Sequence, residues 1–303
     1  MSDGTIILHH YPQSPVSEKV RIVLGMKDLD WRSVEIPRLP PKPNLMPLTG
    51  GYRLTPTLQI GADVYCDTKS ILRELERRFP GDGFATGFDW GFGQWTDGPL
   101  FQDVVGVALV EMSPNMPSEF LADRGPLYFG ADFSLENIRD RYNESLANVR
   151  AQFGWIDAHL AGREFVSGTA PGLADAFAYY LIWFLRDRMA EGEAFLGQFE
   201  NLVAWEARVK AIGHGRPEDM SDLAALDIAR EAEPRTPERA DPNDPMGLEV
   251  GERVGVAPAS GGPIVSGTVH SVSADEIALM REDERIGRVC THFPRIGHRV
   301  TRP

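Results

Sequence analysis

The spacing of apolar residues changes near residue 90, and this change constrains the fold more than any other feature of the chain. Before it, the apolar run at residues 6–8 precedes a stretch in helical spacing that includes Val16, Val20 and Val23. Between about 90 and 230 the strand pattern disappears and only helical spacing remains. A mixed strand-and-helix segment followed by an all-helical one predicts two separate domains.

The first segment predicts a strand, a helix, a second strand, a hairpin and a final helix. We expect the first helix over 15–27, because proline is well tolerated in the first helical turn. The second strand is expected over 31–36, and the hairpin turns at Gly61-Ala62-Asp63. The helical segment predicts five helices, over 92–112, 135–160, 173–189, 199–212 and 221–231.

The composition changes a third time after residue 232. Four prolines and alternating charges over 233–245 predict a semi-rigid linker. The last residues contain five short β-rich pieces separated by turns, namely ERVGVAP, PIVSGTVHSV, EIALM, GRVCTHF and GHRVT. Five strands in so short a segment predict a small all-β, barrel-like domain.

Charge and cysteine content narrow the functional classes. The chain has 303 residues and a formal net charge of −13, which argues against a nucleic-acid groove or an anionic membrane surface. No apolar run reaches the roughly 20 residues of a membrane span, and the N-terminus does not have the pattern of a signal peptide. Two cysteines make no disulfide framework, so a reducing cytoplasm is expected.

Five segments occur in a specific order: SPVSEKVRIVL, TPTLQIG, CDTKSILRELE, APGLADAFAYYLIWFL and FENLVAWEARV. In this order they resemble the cytosolic glutathione transferase family, over roughly residues 5–215. The resemblance implies an α/β thioredoxin-like N-terminal domain that binds glutathione, an all-α helical domain and a homodimer. The SPVSEKVR frame resembles the serine-type, bacterial members. The predicted domains are therefore 1–82, 88–232, a linker at 233–245, and the β domain at 246–303.

The resemblance implies that Ser14 is the catalytic residue. Ser14 would donate a hydrogen bond to the glutathione thiolate at the start of a helix, where the helix dipole also favours an anion. Tyr11 is the rival hydroxyl, since some branches of the family use a tyrosine near the end of the first strand. Ser17, in the first helical turn, is a second candidate donor. Ordinary helix capping also explains a serine at position 14.

The resemblance also implies the residues that bind the rest of glutathione. Thr55 precedes Pro56, for which the family has a cis peptide bond, and its backbone would contact the cysteinyl part. Asp67 and Thr68 would bind the γ-glutamyl ammonium and carboxylate, although helix capping alone would favour both residue types. Arg53 suits the glycine carboxylate, beside an unusual Gly50-Gly51-Tyr52 sequence.

An apolar set around the first long helix would suit a small hydrophobic electrophile as second substrate. It comprises Trp90, Phe92, Trp95, Phe101, Met112, Met116, Phe120, Tyr128 and Phe129. Packing between helices explains most of these residues equally well. Gly172 and Asp175 are expected to cap a helix and to have no catalytic role.

Cysteine and histidine residues outside these motifs suggest little chemistry. Cys66 is expected to be a small buried residue at a strand end. Cys290 and His292 share one face of a strand, and His270 and His298 lie in the same segment, but a lone Cys-x-His is a weak zinc signal. We therefore expect no metal, with glutathione bound as a substrate.

Two functions remain open at the level of sequence. The first is a glutathione transferase that adds the glutathione thiolate to a hydrophobic electrophile. The second is a non-catalytic protein that keeps this fold and uses its C-terminal β domain for a partner. Ser14, Asp67 and Thr68 are all compatible with ligand binding, which favours the enzyme.

Overall fold

The computed structural model describes residues 4–303, and the chain divides into two compact units. Unit 1 comprises the chain up to residue 20, residues 29–78 and residues 216–303. Unit 2 comprises residues 21–28 and 79–215. Within the described residues, no helix combines the length and the apolar character needed to cross a bilayer.

The N-terminal part of the chain has the predicted thioredoxin-like order. Its elements are β1 (Ile7–His10), α1 (Pro15–Met26), β2 (Asp30–Glu35), α2 (Met46–Thr49), β3 (Thr57–Ile60), β4 (Asp63–Cys66) and α3 (Thr68–Arg78). Strand β1 pairs in parallel with β2 and antiparallel with β3, and β3 forms the predicted hairpin with β4. The hairpin turns at Gly61, whose φ of 61° favours glycine.

Unit 2 is helical, as predicted. Its helices are α4 (Gly87–Trp95), α5 (Phe101–Met112), α6 (Ser118–Phe129), α7 (Leu135–Asp140), α8 (Tyr142–Leu160), α9 (Leu173–Arg188), α10 (Gly192–Leu196) and α11 (Glu200–Ile212). The helix expected over 92–112 is divided by a π-helical turn at Thr96–Leu100. Pro99 has no N–H to donate and Gly98 has a non-helical backbone, so the regular helix is interrupted there.

The buried carboxylate of Asp175 organises the start of α9. It accepts hydrogen bonds from the backbone N–H groups of Gly172, Val166 and Ser167, and from Trp205 Nε1 at 2.7 Å. A Cβ at Gly172 would lie 2.5 Å from Ser167 Oγ, so glycine fits this crowded position. These contacts agree with the capping role expected for Gly172 and Asp175.

The chain then returns to unit 1. Its last elements are β5 (Arg216–Asp219), α12 (Asp222–Glu231), β6 (Arg253–Pro258), β7 (Val265–Val272), β8 (Glu276–Asp283), β9 (Gly287–Pro294) and β10 (His298–Thr301). The five predicted C-terminal strands are thus confirmed as a strand-rich domain. The helical domain predicted over 88–232 includes the residues of β5 and α12, whereas the contacts of these elements group them with unit 1.

The C-terminal strands continue the thioredoxin-like sheet. In the described residues the strand order is β10-β6-β7-β8-β9-β4-β3-β1-β2-β5. Strand β9 pairs in parallel with β4, with Asp63 opposite Cys290 and Tyr65 opposite His292. One apolar cluster joins the two parts, because Val64 and Cys66 of β4 pack with residues from β6 to β9. The C-terminal domain is therefore built onto the edge of the first sheet.

Candidate functional site

Three strand ends that carry the predicted site residues meet at one end of the sheet in unit 1. His9, near the end of β1, lies opposite Thr57 at the start of β3. Thr57 in turn lies opposite Cys66 at the end of β4. The turn after β1, the residues before β3 and the start of α3 therefore lie at the same edge. The register brings together the segments that hold Ser14, Thr55 and Asp67.

Ser14 occupies the N-terminal cap of α1. Its Oγ accepts the backbone N–H of Ser17 at 3.2 Å, and its carbonyl accepts the N–H of Glu18 at 3.0 Å. The residue is 0% exposed, so a ligand atom can reach the hydroxyl only after neighbouring atoms move. The hydroxyl hydrogen can still be donated, because the capping contact uses the oxygen as an acceptor.

Tyr11 and Ser17 are both buried close to Ser14. The carbonyl of Tyr11 accepts the Ser14 N–H at 3.2 Å, which forms the turn between β1 and α1. The Tyr11 ring lies 5.8 Å from the guanidinium of Arg38. The hydroxyl of Ser17 is buried with no hydrogen-bond partner in the described structure. Burying a hydroxyl without a hydrogen-bond partner costs folding free energy. The Ser17 side chain is therefore not explained by the hydrogen bond of its backbone N–H alone.

The peptide bond between Thr55 and Pro56 is cis, as the resemblance implied. Lys42, which no sequence motif indicates, is buried beside it. Its Nζ donates to Thr55 Oγ1 at 2.8 Å and to the carbonyl of Arg53 at 3.0 Å. Lys42 therefore fixes the residues just before β3, which are expected to face the cysteinyl part of glutathione. Arg53 is half-buried.

Asp67 and Thr68 form the start of α3. Asp67 has a φ of 72°, an uncommon conformation for a residue other than glycine, and its Oδ1 accepts the N–H of Lys69 at 2.8 Å. Unusual backbone conformations of this kind concentrate at ligand-binding sites. Thr68 is buried, and its Oγ1 accepts a hydrogen bond from Lys19 Nζ at 3.3 Å.

Lys19 was also absent from the sequence-based site. It is 1% exposed and lies on the buried side of α1, three residues after Val16 and one before Val20. A charged residue within the apolar stripe was the available signal, because a buried ammonium must be compensated by nearby polar groups. Lys19 places a positive charge next to the position predicted to bind the γ-glutamyl carboxylate.

Unit 2 contains an aromatic cavity of about 550 Å³. Two members of the predicted apolar set, Phe92 and Trp95, line it together with Phe88 and Trp155, and the rings of Trp95 and Trp155 are 5.9 Å apart. Phe101 instead packs against Tyr128, with ring centroids 5.6 Å apart, within the helical domain. The predicted apolar set is thus divided between cavity lining and helix packing.

A buried polar cluster lies where β4 meets β9. Potential ligand atoms of Asp63, Cys290 and His292 lie within 4.8 Å of one another. His292 Nδ1 is 3.0 Å from Glu276 Oε1, its Nε2 is 3.4 Å from Asp63 Oδ1, and its ring stacks on Tyr65. Burial disfavours the imidazolium, but the neighbouring Cys290, Tyr65, Glu276 and Asp63 outweigh burial and raise the pKa of His292 well above its ordinary value.

The hydrogen bonds of this cluster hold the linker in place. The Asp63 carboxylate accepts the backbone N–H of Arg235 and both the N–H and the hydroxyl of Thr236. Asp63 and His292 are thus paired with protein groups, which gives the cluster a structural explanation. Cys66 is a free, buried cysteine, and burial raises the pKa of its thiol, so it is unsuited to act as a thiolate.

Comparison with known proteins identifies the family. The model of the glutathione S-transferase N-terminal domain matches residues 8–83, and that of the C-terminal domain matches residues 139–208. The crystal structure of a GST-like protein from Pseudomonas syringae is 34% identical, covers 100% of both chains and has a TM-score of 0.79. The chain belongs to the glutathione S-transferase family.

Two further solved glutathione S-transferases show the same fold at lower identity. The enzyme from Rhodospirillum rubrum is 19% identical, with a TM-score of 0.53, and covers 68% of this chain and 88% of its own. A family member from Pseudomonas fluorescens, solved with two glutathione molecules bound, is 16% identical, with a TM-score of 0.50 and the same coverage. The search of curated proteins finds no match.

The C-terminal β domain lies outside the two glutathione S-transferase domain models, which end at residue 208. The alignment with the Pseudomonas syringae protein nevertheless covers the whole chain. This relative therefore aligns with the extension as well as with the two glutathione S-transferase domains.

Proposed function

We propose that this protein is a serine-type glutathione transferase, of the kind found in bacteria, which adds the thiolate of glutathione to a hydrophobic electrophile. The observation that carries the proposal is the convergence of Ser14, the Thr55-Pro56 peptide and the Asp67-Thr68 pair at one end of the sheet. A hydroxyl at the start of one helix suits the thiolate of a zwitterionic thiol peptide, and an acidic residue at the start of a second helix suits its ammonium.

Ser14 would stabilise the nucleophile without becoming one. A free thiol has a pKa of about 8.5, and lowering it by about two units requires roughly 2.7 kcal/mol. A charge-assisted hydrogen bond from Ser14 Oγ, together with the positive end of α1, could supply an energy of this size. Lys19 and Thr68 would bind the γ-glutamyl carboxylate, and Asp67 the ammonium.

Thr55 would orient the thiol of glutathione. Its backbone would hold the cysteinyl part of glutathione, and Lys42 keeps the Thr55 side chain and the Arg53 carbonyl in place. Arg53 would bind the glycine carboxylate. The sulfur would also be surrounded by Pro56, Tyr11 and Ser17. The bound sulfur would be a hydrogen-bond partner for the Ser17 hydroxyl.

The first experiment is calorimetric titration with reduced glutathione, followed by a conjugation assay with a small aromatic electrophile. Ser14→Gly is the informative variant, because glycine is tolerated as a helix cap and has no hydroxyl. We expect Ser14→Gly to bind glutathione but to raise the pKa of the bound thiol and to lower the conjugation rate at neutral pH.

Parallel variants separate the three hydroxyls. Ser14→Thr should retain the low thiol pKa, and Tyr11→Phe should change it little. Ser17→Ala should raise it less than Ser14→Gly does. Saturable binding with an unchanged thiol pKa in Ser14→Gly would remove Ser14 from the mechanism. A complete lack of glutathione binding at ~10 mM, weaker than about −3 kcal/mol, would favour a non-catalytic partner-binding protein.

We also propose that the protein is a cytoplasmic homodimer. Cys66 and Cys290 are both free and buried, which suits a reducing compartment. Light scattering of the purified chain should give twice the monomer mass, and a monomer at micromolar concentration would contradict the dimer.

A further inference from the structure

The segment between β2 and β3 carries three residues of the proposed glutathione site. We call residues 37–55 the α2 segment; it contains Lys42, Arg53 and Thr55. Its only helix is α2, which has four residues. A helix of one turn is not stable by itself in water, so contacts from elsewhere must hold the segment in one conformation.

The first such contact comes from the tight turn between β8 and β9. Arg285 donates from Nη1 to the carbonyl of Pro43 at 2.9 Å and from Nη2 to Asn44 Oδ1 at 2.8 Å. Asn44 also donates to Asp222 Oδ2 at 2.8 Å, from its amide nitrogen. The C-terminal domain thus fixes the two residues that follow Lys42.

The second contact is made by Arg281 of β8 at the end of α2. Its Nη2 donates to the carbonyls of Pro47 and Leu48, at 3.0 and 2.8 Å, and its Nε donates to Thr291 Oγ1 at 2.9 Å. The last carbonyls of a helix have no intrahelical partner and carry partial negative charge. Arg281 therefore acts as a C-terminal cap that is supplied by a different domain.

Gly50 and Tyr52 complete the attachment. Gly50 has a φ of 68°, and a Cβ there would lie 2.6 Å from Arg281 Nη1. Glycine is thus required both by the backbone and by the approach of the guanidinium. The Tyr52 ring is buried, with its centroid 5.8 Å from that of Phe293 in β9. Within the unusual Gly50-Gly51-Tyr52 sequence, Gly50 and Tyr52 are thus explained by contact with the C-terminal domain.

We propose that Arg281 and Arg285 are positioning residues of the glutathione site, through which the C-terminal β domain holds the α2 segment ready for the ligand. Glutathione as the ligand rests on the proposed function. Contacts that order the segment beforehand reduce the conformational entropy lost on binding, so they raise affinity without touching the ligand. Ser14 lies outside the segment, and at saturating glutathione the bound ligand itself orders the segment, so the chemistry of the sulfur should not depend on these arginines.

The test compares the full-length wild type with three variants, Arg285→Ala, Arg281→Lys and Arg299→Ala. Arg285 and Arg299 are both exposed arginines of the C-terminal domain, so Arg299→Ala is the matched control. Lysine at 281 keeps the charge but cannot make all three contacts of the guanidinium. Arg285→Ala removes an exposed side chain and is expected to fold even if Arg281→Lys does not.

Hydrogen exchange measures whether the segment is held. In Arg285→Ala and Arg281→Lys, we expect faster amide exchange in residues 37–55, with unchanged exchange in β7. The dissociation constant of reduced glutathione should rise roughly tenfold, which corresponds to about 1.4 kcal/mol. The pKa of the bound thiol and kcat at saturating glutathione should stay as in the wild type, and Arg299→Ala should match the wild type throughout.

The outcomes separate this inference from the proposed function. Wild-type exchange in residues 37–55 of both arginine variants would overturn the attachment. Faster exchange with an unchanged dissociation constant would overturn its role in glutathione binding. If the wild type itself does not bind glutathione, the proposed function fails and the ligand assigned here fails with it, while exchange still decides whether the arginines hold the segment.

Discussion

Lys19 places a positive charge inside unit 1, where its Nζ donates to the hydroxyl of Thr68. In the proposed site that charge faces the γ-glutamyl carboxylate, so Lys19→Met should raise the dissociation constant of glutathione roughly tenfold or more. Calorimetry with reduced glutathione measures the change. Lys210→Met, on the exposed side of α11, is the control and should bind as the wild type does. Equal affinity in the two variants would place Lys19 outside the site.

His9 gives a second test at the level of single residues, through the pH dependence of stability. Burial lowers the pKa of His9 from about 6.5 to about 4, despite its hydrogen bond with Gln59 at 2.9 Å. Below about pH 6.5 the unfolded chain binds a proton that the folded chain does not, so stability falls as the pH falls from about 6.5 to about 4. The full loss is on the order of 3 kcal/mol.

Replacing His9 by glutamine should remove that part of the acid sensitivity. The free energy of unfolding, measured in urea at pH 7 and at pH 4.5, should therefore differ less between the two pH values in His9→Gln than in the wild type. His159→Gln, at a histidine with an exposed side chain, is the control. The same pH dependence in all three proteins would show that His9 titrates normally in the fold.

At the level of secondary-structure elements, α1 depends on a close approach near its end. A Cβ at Gly25 would lie 1.9 Å from the carbonyl oxygen of Gly213, which is backbone and cannot rotate away as a side chain would. Gly25→Ala should therefore lower the free energy of unfolding by about 2–3 kcal/mol. Gly91→Ala is the matched control, because a Cβ there meets nothing within 4 Å and alanine favours a helix by about 0.5–1 kcal/mol. Equal stability of the two variants would contradict the close approach.

The elements that could be predicted from sequence are those with a strong local pattern. The hairpin around Gly61, the helices of unit 2 and the five C-terminal strands all follow from apolar spacing and turn residues. Strand β5 could not be found in this way, since its four residues, Arg-Pro-Glu-Asp, are all exposed and show no apolar alternation. It is held instead by parallel pairing with β2 and by ion pairs such as Arg216 with Asp30.

The residues of the candidate site also divide into those that a local sequence pattern indicates and those that depend on contacts between distant segments. Ser14, Thr55, Asp67 and Thr68 stand in motifs that resemble those of a known family, so the sequence indicates them directly. Lys42 depends on a partner eleven residues away in the chain, at Arg53, and no local pattern encodes that contact. The two arginines that hold the α2 segment lie more than 200 residues from it, and the pairing of β8 with β9 and of β9 with β4 brings them there.

At the level of the whole molecule, the pairing of β4 with β9 makes the C-terminal strands part of unit 1. The apolar cluster draws Leu48, Tyr52 and Val64 from the N-terminal part and Leu279 and Phe293 from the C-terminal part. Removal of either part would expose the apolar side chains of the other. We therefore expect unit 1 to unfold cooperatively, with the glutathione-binding domain and the β domain losing structure together.

Phe293→Ala tests this cooperativity. Phe293 is 0% exposed, so truncation should cost about 3–5 kcal/mol. In native-state hydrogen exchange, the slowest amides of β3 and β4 should lose as much protection as those of β8, although the substitution lies in β9. Ile264→Ala, at a side chain that is 58% exposed in the same domain, should leave both sets unchanged. A loss confined to β6–β10 would mean that the two parts unfold independently.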